Sequence, residues 1–315
     1  MTRLDEKQII SLFQRIVSNR KHTHEDVETF RIGRKFGVLK TDTLVFSTDV
    51  PPGMKLEDVA RKSVVACVSD FAAKGVRPLY CLVSISIPRS FSRSHILRLA
   101  RGFRTASKEF GVRILGGDTN EAKELVISVT MFGVADKIVR RSGAKAGDSI
   151  LVTGRFGRTS AGLEIILGKR KSDKKFASLA KRSVYHAVPR LEFGIDAAKY
   201  MTSAMDSSDG LSTTLVEMSA QSKKKFLIVK LPADTALDKF ARMNSMNPLS
   251  LIFNGGEEYE IVITARQKDV IRIKQIAKKN GVPLTEIGHV QNGSGVFLQG
   301  HKAPIRDLGW KHFSN

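Results

Sequence analysis

Apolar residues recur at helical spacing near the start of the chain, where Ile9, Ile10, Phe13, Ile16 and Val17 predict an amphipathic helix. A second helical pattern over about 57–75 places Val59, Ala60, Val64, Cys67, Val68, Phe71 and Ala72 on one buried side. Leu79 to Ile87 reads as a strand, 92–110 as a helix, Val112 to Leu115 as a short strand and Leu125 to Val134 as a longer one. A polar, glycine-bearing stretch at 140–148 then suits a domain junction. Beyond it come a strand at Ser149 to Thr153, helices from Thr159, Arg190 and Leu211, and strands at Phe226 to Leu231 and Tyr259 to Thr264. A helix over 267–280 and a strand from Leu284 to Val290 complete the alternation, which predicts an α/β (α+β) fold in two domains, 1–138 and 139–315. At 315 residues the chain is long enough for both to have cores.

One charge breaks the apolar face of the second helix. Asp70 lies among Cys67, Val68 and Phe71, and a carboxylate there is costly unless it is paired or binds a metal. Three further short sites have the same character: Thr41-Asp42, Gly116-Gly117-Asp118-Thr119 and Asp206-Ser207-Ser208-Asp209-Gly210. Aspartate beside glycine or a hydroxyl residue suits Mg²⁺, which prefers oxygen ligands, although each pair taken singly is also ordinary turn or cap chemistry. All four sites are expected at the edges of elements. Together they point to a multi-metal, phosphate-handling centre.

Composition narrows the class. No apolar run approaches the roughly 20 residues needed to cross a bilayer, and the first residues lack a signal-peptide core, so a cytoplasmic protein is expected. Cys67 and Cys81 show no Cys-x-x-Cys spacing and read as buried thiols. Lys and Arg outnumber Asp and Glu by 52 to 31, a net charge of +21 that suits either a nucleic-acid binder or an enzyme with polyanionic substrates. The basic runs at Lys169-Arg170-Lys171, Lys174-Lys175, Lys181-Arg182 and Lys223-Lys224-Lys225 fall in or beside apparent loops with little aromatic interleaving, and no nucleic-acid-binding signature accompanies them. A nucleic-acid partner is therefore not expected. The stretch Gly162 to Gly168-Lys169-Arg170 fails the P-loop spacing, and Gly-x-Gly-x-x-Gly, His-Glu-x-x-His and Gly-x-Ser-x-Gly are absent. His22 and His24 lack the third ligand of a zinc site.

Seven motifs in order resemble one enzyme family. Thr48-Asp49-Val50-Pro51-Pro52-Gly53-Met54, Val68-Ser69-Asp70-Phe71-Ala72-Ala73-Lys74-Gly75 and Gly116-Gly117-Asp118-Thr119 resemble thiamine-monophosphate kinases, in particular their archaeal branch. So do Arg141 to Asp148, Met205-Asp206-Ser207-Ser208-Asp209-Gly210-Leu211, Gly255-Gly256-Glu257-Glu258-Tyr259-Glu260 and Gly309-Trp310-Lys311-His312-Phe313. The resemblance runs from about residue 20 to the end.

It implies the two-domain fold of the aminoimidazole-ribonucleotide-synthetase (PurM-like) superfamily, a homodimer formed through the N-terminal domain, and ATP-dependent phosphorylation of thiamine monophosphate with several Mg²⁺ ions. Carried over by position, Asp42, Asp70, Asp118, Asp206 and Asp209 are metal ligands, assisted by Thr41. Gly117, Asp118, Arg141 and Ser208 face ATP. Glu257 and Trp310 hold the thiamine part, a carboxylate and an aromatic face for a thiazolium cation. Two departures stand out: His24-Glu25-Asp26 replaces the usual Gly-Asp-Asp, leaving open which of Glu25 and Asp26 touches metal, and Asp49 stands where bacterial members use a histidine for substrate. The family implies no catalytic nucleophile or base. Another enzyme of the superfamily, acting on a different phosphate or carboxylate, and a degenerate basic binding protein are the alternative readings.

Overall fold

The computed structural model describes residues 4–17 and 25–311; His22, His24, His312 and Phe313 lie outside them. The first half contains α1 (Glu6–Val17), β1 (Glu28–Ile32), β2 (Lys35–Val45), α2 (Phe46–Asp49), α3 (Leu56–Lys74), β3 (Pro78–Ile87), α4 (Arg93–Phe110), β4 (Arg113–Glu121) and β5 (Val126–Ala135). The second runs through β6 (Ser149–Thr153), α5 (Arg158–Ile166), α6 (Lys174–Tyr185), α7 (Leu191–Ala197), β7 (Ser203–Ser207), α8 (Leu211–Ser222) and β8 (Lys225–Ile228). It ends with α9 (Thr235–Met243), α10 (Pro248–Asn254), β9 (Glu260–Ala265), α11 (Gln267–Lys279), β10 (Leu284–Gln291) and β11 (Gly295–Leu298). The strands form a five-stranded sheet, order β1-β2-β5-β3-β4, and a six-stranded one, order β11-β8-β10-β6-β9-β7.

The second sheet is buried on both faces. Along β9, Ile261, Ile263 and Ala265 join a core that reaches back to the first sheet, while Val262 points into a second core with α5, α8 and α10. Strand alternation thus sends one strand's side chains into two different cores. The first core is continuous across both halves, and α3 lies at its centre, against β2, β5, α4, α7, β7 and β9. That explains a departure from the one-sided helix predicted over 57–75: Arg61, Lys62, Ser63, Asp70 and Lys74 are buried as well as the apolar side. Gly75 closes α3 in the left-handed conformation (φ +68°), its N–H bonded to Ala72 and Phe71 carbonyls.

Other expectations shift more. β4 is not a short strand ending at Leu115 but continues through Gly116-Gly117-Asp118-Thr119, held by its parallel pairing with β3. Asp42 lies within β2 and Asp70 within α3, so of the four aspartate sites only Asp206-Asp209 sits at an element's edge. Lys174, Lys175, Lys181 and Arg182 belong to α6, whose apolar Phe176, Ala180 and Val184 give it a buried face. Both cysteines are buried thiols. The opening helix forms as α1, yet Phe13, Ile16 and Val17 stay largely exposed. No helix among the described residues is long and apolar enough to cross a membrane.

Candidate active site

A cleft of about 600 Å³ lies where the two halves meet, lined by Asp26, Asp42, Asp49, Asp70, Arg141, Asp206, Ser208, Asp209, Glu257 and Trp310. At its floor, carboxylate oxygens of Asp26, Asp70 and Asp206 all fall within 4.8 Å of one another. Each comes from a different segment: Asp26 from the stretch before β1, Asp70 from mid-α3, Asp206 from β7, the edge strand of the second sheet. Asp42 joins from β2, whose residues alternate so that Val38, Lys40, Asp42 and Leu44 share the face toward α3.

Crowded, buried carboxylates perturb one another. Burial raises Asp70 well above the usual range, the Lys40 ammonium at 2.8 Å opposes this, and Asp206 and Asp42 add to it. Burial and the neighbouring Asp26 push Asp206 up to about 6, against a 2.8 Å hydrogen bond donated by Ser69 Oγ. Asp26 goes the other way. Burial alone would raise it, but Lys74 at 2.6 Å and the Arg141 guanidinium hold it below the ordinary value. Three close carboxylates, two of them resisting ionisation, fit an oxygen-seeking divalent cation.

The outer parts of the cleft carry different chemistry. Trp310 is 58 % exposed, and its backbone N–H bonds the Asp209 carbonyl at 2.9 Å. Glu257 adopts φ +64° and pairs with Lys62 at 2.6 Å; that lysine also donates to the Asp49 carbonyl at 2.5 Å. Asp49 accepts from the Val45 N–H at 2.6 Å, closing the short turn of α2. Gly256 packs so tightly that a Cβ there would strike the Ser208 carbonyl oxygen.

The fold thus brings ten of the residues expected from the sequence into one cleft. Glu25 sits just behind, bonded to Lys74 and to the Arg141 N–H. Thr41 shares a 3.1 Å hydroxyl contact with Thr130 and does not line the cleft. Gly117 and Asp118 stand apart. The register runs Asp42–Val129–Val83–Gly117 across the sheet, so Gly117 is three strand spacings, about 14 Å, from Asp42. Lys40, Lys62 and Lys74 were not singled out from the sequence, because nothing in a lone lysine reports which carboxylate it will face.

Comparison with known proteins identifies the family. Residues 24–135 match the AIR synthase related protein N-terminal domain and residues 145–301 its C-terminal domain. A thiamine-monophosphate kinase of Nitrosopumilus maritimus is 52% identical over 99% of this chain and 100% of its own, and one of Pyrococcus horikoshii is 32% identical over 99% and 97%. Among solved structures, AaThiL complexed with AMPPCP and TMP superimposes with a TM-score of 0.88 at 28% identity, covering 99% of each chain. The thiamine monophosphate kinase of Aquifex aeolicus gives 0.84 at 27% identity, covering 96% of this chain and 99% of its own. With both family domains in order and full-length relatives at this identity, the chain belongs to the AIR synthase related family and, within it, to the thiamine-monophosphate kinases.

Proposed function

We propose that this chain transfers the γ-phosphoryl group of ATP directly onto the phosphate of thiamine monophosphate, giving thiamine diphosphate and ADP, with Mg²⁺ and as a cytoplasmic homodimer. The observation that carries this reading is the convergence of Asp26, Asp70 and Asp206 in a cleft that also holds Glu257 and Trp310. Two anionic substrates must meet there. Unit charges about 4 Å apart repel by roughly 4 kcal/mol at an effective dielectric near 20. Mg²⁺ bound there would supply positive charge to offset that repulsion, and Asp26, Asp42, Asp70, Asp206 and Asp209, with Glu25 behind, are the residues that would hold it.

The protein's own groups position rather than react. Glu257 and Trp310 receive the thiamine part, and Arg141 and Ser208 the nucleotide side. An oxygen of the acceptor phosphate, ionised at pH 7, forms the bond to the γ-phosphorus as the bond to the bridging oxygen breaks and its electron pair leaves on ADP. No protein group takes a proton in that step.

Gly117 and Asp118 enter this scheme through a second subunit. The sheet face opposite α3 presents exposed Leu39, Thr41, Thr130 and Leu82, and Asp118 lies in the same cross-strand row as Thr43. A second copy laid over that face buries the apolar positions and brings its own Asp118 toward the first copy's β2. In this division, residues 1–138 supply dimerisation, most metal ligands and nucleotide contacts, and 139–315 the remainder.

The test is incubation of purified protein with ATP, Mg²⁺ and thiamine monophosphate while ADP and thiamine diphosphate are followed. Failure to form thiamine diphosphate over a range of Mg²⁺ would sink the reading. Sedimentation of the wild type and of Leu82→Arg tests the dimer: a monomeric wild type refutes it.

A further inference from the structure

The acidic centre contains cations of its own. Lys40 sets its ammonium 2.8 Å from Asp70 and 3.4 Å from Asp42. Its place is fixed by the backbone: Lys40 and Asp42 are two apart on β2, on the face toward α3, and Lys40 pairs in register with buried Met131. Lys74, with no exposed side-chain surface, stands 2.9 Å from Glu25 and 2.6 Å from Asp26 and donates to the Ala204 carbonyl at 3.1 Å. Arg141 forks onto Asp26. Five acidic groups, Glu25, Asp26, Asp42, Asp70 and Asp206, thus face three fixed cations, and the oxygens of Asp26, Asp70 and Asp206 that lie within 4.8 Å of one another form a single corner that one divalent ion could fill.

We propose that Lys40 stands in for a divalent cation between Asp42 and Asp70, so that the protein's own carboxylates take one divalent ion, further ions arriving with the nucleotide. A tethered ammonium neutralises the Asp42–Asp70 pair as a metal would, with three donors in place of coordination bonds. It needs no metal in solution to do so. It also blocks a second ion, since a divalent cation beside Lys40 would meet like charge at short range. The shared Asp26–Asp70–Asp206 corner remains for the single ion. This deepens the proposed phosphoryl-transfer reading and rests on it for the role of the centre.

The test counts ions in nucleotide-free protein by titration with Mn²⁺, following free Mn²⁺ by electron paramagnetic resonance. Wild type is expected to bind one ion tightly, and Lys40→Arg, which keeps the cation, to do the same. Lys40→Met, of similar length without the charge, is expected to bind a second ion or to bind the first at least about tenfold more tightly. Two or more tight ions in the wild type overturn the proposal, as does an unchanged count and affinity in Lys40→Met. The wild-type count decides the matter even where Lys40→Met does not fold. Thiamine diphosphate formation is scored separately: a protein that binds one ion but makes no product refutes the kinase reading alone, and one that makes product while holding two tight ions refutes this proposal alone.

Discussion

Ser69 Oγ donates a 2.8 Å hydrogen bond to Asp206 Oδ2, joining the middle of α3 to β7 across the seam between the two halves. Both residues are buried, so the bond is made out of water's reach and favours the ionised carboxylate. Removing it in Ser69→Ala should raise Asp206 further above its value of about 6 and weaken divalent binding at neutral pH. It should also lower stability by about 1–3 kcal/mol, the cost of leaving a buried acceptor unsatisfied. Mn²⁺ titration and urea unfolding read the two effects; a variant equal to wild type in both would leave the bond without consequence.

Asp70→Asn separates catalysis from folding. Asn keeps the shape of the side chain in mid-α3 and removes a carboxylate that burial and its neighbours hold well above the usual range, so the fold should survive with equal or greater thermal stability. Turnover should fall by at least about a hundredfold, the scale of losing one preorganised electrostatic partner. Asp209→Asn, in the same cleft, should show the same split. Circular-dichroism melts alongside steady-state kinetics check it, and near-normal turnover in either variant removes that residue from the metal set.

The titration of Asp206 gives a pH dependence with a definite sign. Its carboxyl sits at about 6 in the folded chain against 3.8 ordinarily, so between those values the folded state holds the extra proton. Through this group, metal-free stability is highest below 3.8 and declines as pH rises to about 6. Divalent binding must displace the proton, so affinity should drop below about pH 6 and binding should release protons there. Titrations in buffers of different ionisation enthalpy measure the release. Asp206→Asn should abolish this component of both profiles.

Asp70 was legible in the sequence because a charge interrupts a run whose period was already clear, and burial then makes pairing or metal binding compulsory. Asp206 and Asp209 were legible as a motif, but β7 was not: Ser203-Ala-Met-Asp-Ser is short and polar, and only its place at the edge of the second sheet, paired with β9, buries all five residues. β2 hid for a related reason. Its inner face alternates Val38, Lys40, Asp42 and Leu44, two hydrophobes and two charges, because Lys40 answers Asp70 on a distant helix and pairs with Asp42 beside it. The ion pairs that set the site's charge are relations between segments, and such relations leave no local pattern.

Trp310 is the chain's single tryptophan and lies in the cleft, so its fluorescence reports on that corner alone. Thiamine monophosphate should quench or shift its emission, because an aromatic face stacked near a thiazolium ring changes its surroundings. ATP with Mg²⁺ alone should change it far less. Trp310→Ala should raise KM for thiamine monophosphate at least about fivefold while leaving KM for ATP within about twofold, consistent with about 1 kcal/mol for a half-exposed cation–aromatic contact. Equal effects on both substrates would place Trp310 outside the thiamine pocket.

Gly194 provides a way to move the centre without touching it. On α7 it lies against α3 so closely that an added Cβ would drive into the Ala72 carbonyl oxygen. Backbone on one side and a packed core on the other leave little room to yield, so Gly194→Ala must push α7 away from α3 or shift α3 itself. Overpacking of this kind costs about 1–3 kcal/mol. Ala72 is two residues beyond Asp70 and three beyond Ser69, so the displacement should also disturb the Ser69–Asp206 bond and the carboxylate cluster. Gly194→Ala should therefore lower the urea midpoint at unchanged m value and weaken Mn²⁺ binding, although Gly194 does not line the cleft. A variant that loses stability but keeps wild-type Mn²⁺ affinity would show that α3 holds its aspartate independently of the helix packed behind it.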